Sequence, residues 1–138
     1  MLYITGIQAL NIKDNTECCG DWHTSATNWG SLNIIDSSIS LFGDWGIESN
    51  KSIPDHDEHY NVANTLRAIL DMLQDESFLG YLKGFRNDFI CTDIYNDLFF
   101  TKVYMLKDLS HWSDINELMK REFMWSWDEF LKKEGFSV

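Results

Sequence analysis

The sequence predicts an α+β fold: a small antiparallel sheet from the N-terminal part, packed by three or four C-terminal helices. Three observations carry that expectation. Alternating apolar residues and turn chemistry fill the first 42 positions, whereas helical spacing of apolar residues dominates from Tyr60 onward. Six Trp, nine Phe and five Tyr supply much apolar surface, and a single proline argues against long disorder. A length of 138 residues suits one domain, 1–138, with a real core.

Leu2 to Ile12 reads as the first strand. Leu2 and Ile4, then Leu10 and Ile12, alternate with other neighbours, and Gly6 shifts the phase as a bulge would. Residues 13–31, rich in Asn, Asp, Thr, Ser and Gly, read as a long loop. Loops of that length in compact domains are often functional. Leu32–Ile35 and Ile39–Phe42 read as short strands around an Asp36-Ser37-Ser38 turn. Gly43 to Glu58 is again polar and punctuated by Pro54, so it reads as a second loop.

Tyr60 to Asp75 is the clearest helix, with Val62, Leu66, Ile69, Leu70 and Leu73 forming one apolar stripe. Gly80 and Gly84 weaken a helix between Phe78 and Ile90. A second helix capped by Thr92 or Asp93 would run to about Lys107, with Leu98, Phe99, Val103 and Leu106 on one face. Ser110 or Ser113 would cap a third, carrying Ile115, Leu118, Met119 and Phe123. Ser126-Trp127-Asp128-Glu129 fits a capping box that re-starts a short helix ending at Gly135.

The net charge of −11 is unevenly spread. Residues 1–76 hold 12 acids and 3 bases, and residues 77–138 hold 10 acids and 8 bases. Such a chain repels a phosphate backbone, so direct nucleic-acid binding is disfavoured. It can attract a basic protein by complementarity, with Asp44, Glu48, Asp55, Asp57 and Glu58 steering the encounter. Acidity that only keeps the chain soluble is the plainer alternative. No apolar run approaches the roughly 18 residues of a membrane span, and no charged-then-apolar leader opens the chain. Three cysteines, an odd number, suit a reducing compartment, and the cytoplasm is the expected location.

Two stretches could carry chemistry. Cys18-Cys19-Gly20-Asp21-Trp22-His23 packs two thiols, a carboxylate and an imidazole into six residues. With His56 and His59, Cys19 and His23 make a thiolate and imidazole donor set of the kind zinc takes, although the spacing matches no finger. A catalytic alternative uses Cys19 as nucleophile, His23 as its base and Asp21 as orienter. Inert cysteines and solvated loop histidines are the plainer alternative, and no cofactor is expected under it. The repeated Gly-Asp-Trp triplets at 20–22 and 43–45 read as loop anchors: glycine for a left-handed turn, Asp for an Asx-turn, and a buried Trp. Trp112, Phe123, Trp125, Trp127 and Phe130 alternate with both signs of charge, which points to core packing, with any exposed Trp marking an interface.

Tyr3-Ile4-Thr5-Gly6-Ile7-Gln8-Ala9-Leu10-Asn11, Cys19-Gly20-Asp21-Trp22-His23 and Asn87-Asp88-Phe89-Ile90-Cys91 together resemble a small uncharacterised bacterial family. Its members accompany nucleotidyltransferase-like toxins of abortive-infection type. The resemblance runs along most of the chain and assigns no catalytic residue. It implies a toxin–antitoxin or phage-defence setting; the acidic charge, not the resemblance, makes an interaction protein the expectation ahead of an enzyme.

Overall fold

A computed structural model describes residues 1–135. It is an α+β fold with a mixed four-stranded sheet of order β2-β1-β4-β3. The strands are β1 (Leu2–Ile4), β2 (Ile34–Asp36), β3 (Ile47–Ser52) and β4 (His59–Ala63). β1 runs antiparallel to β2, with Tyr3 opposite Ile35, and parallel to β4, with Ile4 opposite Val62. β3 and β4 are antiparallel, with a register shift between Glu48 and Lys51. The expected wholly antiparallel sheet is therefore corrected at its centre, where β1 and β4 are parallel. The helices are α1 (Gly6–Leu10), α2 (Thr65–Gln74), α3 (Asn96–Tyr104), α4 (Trp112–Phe123) and α5 (Trp125–Lys133). Among the described residues no helix is long and apolar enough to cross a membrane.

Several N-terminal expectations are overturned. The first strand stops at Ile4, and Gly6 to Leu10 is helical, burying Gly6, Ala9 and Leu10 at helical spacing. The expected Ile39–Phe42 strand is not formed. Asp36 instead caps a 3-10 turn over Ser37–Ile39, accepting from Ser38 N at 3.0 Å. The polar 43–58 stretch contains β3, an edge strand whose outer positions face solvent, so its sequence lacks apolar alternation. Residues 59–63 form β4 rather than the start of the helix.

α2 is held at its start by two side chains. Asn64 accepts from Arg67 N at 2.9 Å, and the buried Asp14 carboxylate accepts from Thr65 N at 2.6 Å. These satisfy backbone donors that a helix N-terminus leaves open. At the other end the buried His111 donates from Nε2 to Leu73 O at 2.8 Å. In the helical layer, the expected caps are not used. Tyr95, His111 and Met124 precede α3, α4 and α5 without side-chain capping bonds. α3 buries Phe99, Phe100 and Val103, while Leu98 is exposed. Glu122 supports the π-type turn at Arg86–Ile90 by accepting from Gly84 N and Arg86 N, each at 3.0 Å.

The aromatic residues pack as a cluster. Phe100 meets Phe123, Trp127 and Phe130 edge-on, with ring centroids 4.8, 5.3 and 5.6 Å away. The buried Trp127 indole donates to Asn116 Oδ1 at 2.8 Å. Trp125 is the outlier, at 68% exposure.

The sheet is joined to α2 by a buried cation. Arg67 is fully buried. Its Nε donates to Asp71 Oδ1 at 3.0 Å and its Nη2 to Tyr3 Oη at 3.0 Å. Nη1 donates to Gly43 O at 2.8 Å and to Trp45 O. The guanidinium lies over the rings of Tyr3 and Phe42, at 5.0 and 5.5 Å. Tyr3 donates its hydroxyl to Asp71 Oδ2 at 2.6 Å, and burial together with that carboxylate raises the phenol pKa. Gly46 makes the close approach possible, because a Cβ there would stand 2.8 Å from Arg67 Cβ in a left-handed backbone.

Two predictions follow from these contacts. Arg67→Met leaves the Asp71 carboxylate buried without its cation and is expected to lower unfolding free energy by about 3–5 kcal/mol. Adding Asp71→Leu is expected to recover part of that loss. Urea unfolding of the single and double variants tests this, and a single-variant cost near zero contradicts it. Asp36 and Asp75 are both held below the usual carboxylate range: Asp36 by the Ser38 N–H and the chain's own α-ammonium, Asp75 by the Ser77 hydroxyl and N–H. Depressed folded-state values stabilise the protein above the unfolded pKa of about 3.9. That stability is lost as pH falls from there through the folded values. Asp36→Asn should flatten the acid side of a thermal-melt pH profile, and an unchanged profile counts against the Asp36 contacts.

Candidate functional site

The Cys18–His23 stretch lies in the long N-terminal loop but is tied to the helical half. Cys19 is joined to Cys91 by a disulfide, across a sequence separation of 72. Gly20 N donates to Phe89 O at 2.8 Å, and Glu17 N to Tyr95 Oη at 2.9 Å. On the other side Asp21 N donates to Leu10 O at 2.9 Å, and His23 N to the buried Asn11 Oδ1 at 2.7 Å. Gly20 has φ +58, and a Cβ there would overlap the Trp22 indole. The loop is thus a bridge between α1 and the segment before α3. The cysteine count favoured free thiols over bridges; the pairing was hidden because only the fold brings positions 19 and 91 together.

The bridge changes what Cys19 can do. As half of a disulfide it has no thiolate with which to ligate a metal or attack a substrate. Its neighbour Cys18 is free but buried, and that burial pushes its thiol up to about 11. His23 pairs with Asp21, Nε2 to Oδ1 at 3.2 Å, on the exposed side of the loop.

The two other proposed ligands are engaged separately. His56 Nε2 donates to Trp29 O at 2.6 Å, and its ring meets Tyr60 edge-on at 5.6 Å. His59 Nδ1 lies 3.1 Å from Asn50 Oδ1. Among the described residues no group of three or more His, Cys, Asp or Glu side chains is arranged to hold a metal. Cys19, His23, His56 and His59 are therefore not gathered as a zinc set.

The Gly-Asp-Trp triplets also differ from expectation. Trp22 is 38% exposed, with Lys13 Nζ 5.8 Å from its ring. The buried anchor of this loop is Trp29, whose indole donates to Thr24 O at 2.9 Å. In the second triplet, Trp45 is half-buried beneath Lys102, whose Nζ is 4.9 Å from the ring. Asp44 accepts from the Ser37 hydroxyl rather than closing an Asx-turn.

The five expected partner-binding acids fall into two groups. Glu48 has a side chain only 14% exposed, pairs with Lys51 at 2.8 Å and accepts from Asn15 N at 2.8 Å. With Asp44 bonded to Ser37, both are committed to the fold. Asp55, Asp57 and Glu58 are exposed in the connection between β3 and β4, and none of them forms a salt bridge among the described residues. Asp55 takes a left-handed backbone, φ 65, at the turn. These three carboxylates form the candidate site: an unneutralised acidic hairpin end.

No protein-family model, curated protein or solved structure matches this chain.

The thiols give a direct check. In protein purified without reductant, iodoacetamide should modify no cysteine in the folded state at pH 8. One, Cys18, should react after unfolding, and all three after reduction and unfolding. Peptide mass spectrometry reads the sites, and modification of Cys19 or Cys91 in the folded, unreduced protein contradicts the bridge.

Proposed function

We propose that this chain is an acidic interaction protein that binds and neutralises a basic, nucleic-acid-acting protein, in a toxin–antitoxin, phage-defence or anti-defence setting. The observation that carries the reading is the β3–β4 hairpin end, where Asp55, Asp57 and Glu58 are exposed and form no salt bridge among the described residues. A net charge of −11 supports it, because a field of one sign speeds encounter with an opposite one and repels nucleic acid. Under this reading the chain competes with nucleic acid for the partner's basic surface. The charges steer the encounter, and exposed apolar side chains such as Trp125 supply contact area beyond them.

The test begins with a nuclease-treated affinity pull-down from the native host, eluted stepwise with salt. A single basic nucleic-acid enzyme, released as salt rises, is the expected recovery. Purified partner is then titrated with the chain and with the triple variant Asp55→Lys, Asp57→Lys, Glu58→Lys. The reversal should weaken association about tenfold or more at low salt. The difference should shrink at 1 M salt, where the screening length is about 3 Å. Equal affinity and equal salt dependence for the two proteins would sink the proposal.

A further inference from the structure

We infer that the groove between the end of α2 and the β1–β2 edge is a receptor for one long cationic side chain, arginine or lysine, presented by a basic protein. The inference rests on the partner class proposed above and assigns it a second, separate point of attachment. The groove encloses about 250 Å³. That is below the roughly 300–1,000 Å³ of small-molecule sites, and a single long side chain suits it better than a cofactor. Its walls are apolar, from Ile35 on β2, Met72 on α2 and Phe78 beyond it. Such walls accept the methylene stem of arginine or lysine, whose charged head seeks a polar end.

The polar end is acidic. Asp71 and Asp75 line the groove four residues apart, and among the described residues none that lines it is cationic. Arg67 occupies Asp71 Oδ1, whereas Oδ2 receives only the hydroxyls of Tyr3 and Thr5, each at 2.6 Å. Asp71 is therefore neutralised by Arg67 and fully hydrogen-bonded, so the free charge at the groove is that of the exposed Asp75. Asp75 forms no salt bridge among the described residues, and Ser77 keeps it in its charged form near neutral pH. Asp71 begins the last turn of α2 and Asp75 follows its final residue, Gln74, at the end where the helix dipole also favours a cation. Apolar walls, a charged end and a helix C-terminus thus point to the same occupant.

The test uses the full chain, labelled with 15N, and two probes: N-acetyl-arginine amide and its uncharged isostere N-acetyl-citrulline amide. At matched ionic strength, the arginine probe should give saturable shifts at the amides of Asn33, Asp71 and Asp75. The citrulline probe should bind about tenfold more weakly, because it lacks the charge-assisted contacts. Asp75→Asn, which keeps an acceptor for Ser77, should weaken the arginine probe about fivefold or more. Absent or non-saturable shifts at the groove, equal binding of both probes, or indifference to Asp75→Asn would each overturn the inference. A basic partner lost on hairpin charge reversal, with no probe binding at the groove, would remove the groove and leave the partner reading. Probe binding with no basic partner recovered would do the opposite.

Discussion

The buried Arg67 guanidinium is the constraint on which the architecture turns. An ion of this kind loses several kcal/mol of hydration on burial, and only close charge and complete hydrogen bonding offset that cost. Arg67 approaches that requirement by drawing on three parts of the chain. Asp71 comes from its own helix, Tyr3 from the sheet centre, and the carbonyls of Gly43 and Trp45 from the loop entering β3. Moving any of these parts away would leave a charge or donor unsatisfied in an apolar interior. The network therefore fixes how α2 sits on the sheet and where the 43–46 loop leaves it.

Both proposed binding features depend on that network. Asp71 faces Arg67 with one oxygen and lines the groove at the end of α2. The loop held by Arg67 leads directly into β3, and Asp55, Asp57 and Glu58 lie in the connection beyond its far end. Position-holding charges and surface charges are thus different residues. Asp14, Asp44, Glu48, Asp71 and Glu122 accept bonds that hold the fold, while the hairpin acids remain exposed to solvent.

The helical half was largely legible in the sequence because its apolar residues recur at one period. Ile115, Leu118, Met119 and Phe123 are buried on α4 as their spacing implies. The N-terminal half was less legible because its elements are short and their partners distant. Three residues of β1 cannot be told from a longer strand by alternation, and Val62 sits on the stripe of α2 although it belongs to β4. Edge strand β3 shows no apolar alternation to read. At the site, the acidity of residues 55–58 was visible directly, but the commitment of Asp44 and Glu48 was not, since Ser37 and Asn15 reach them only in the fold. Arg67 carried one local signal: a cation among apolar residues with Asp71 four positions on. The Cys19–Cys91 pairing carried none.

Hydrogen exchange at the Arg67 side chain tests the central claim most directly. If the guanidinium ties sheet, loop and helix into one unit, its Nε–H gives a resolved resonance. That proton exchanges only with global unfolding, at the free energy read from the core amides of Ile69, Leu70 and Leu73. Exchange of Nε–H orders of magnitude faster, with those amides still protected, would contradict the account, because the network would then open without the fold.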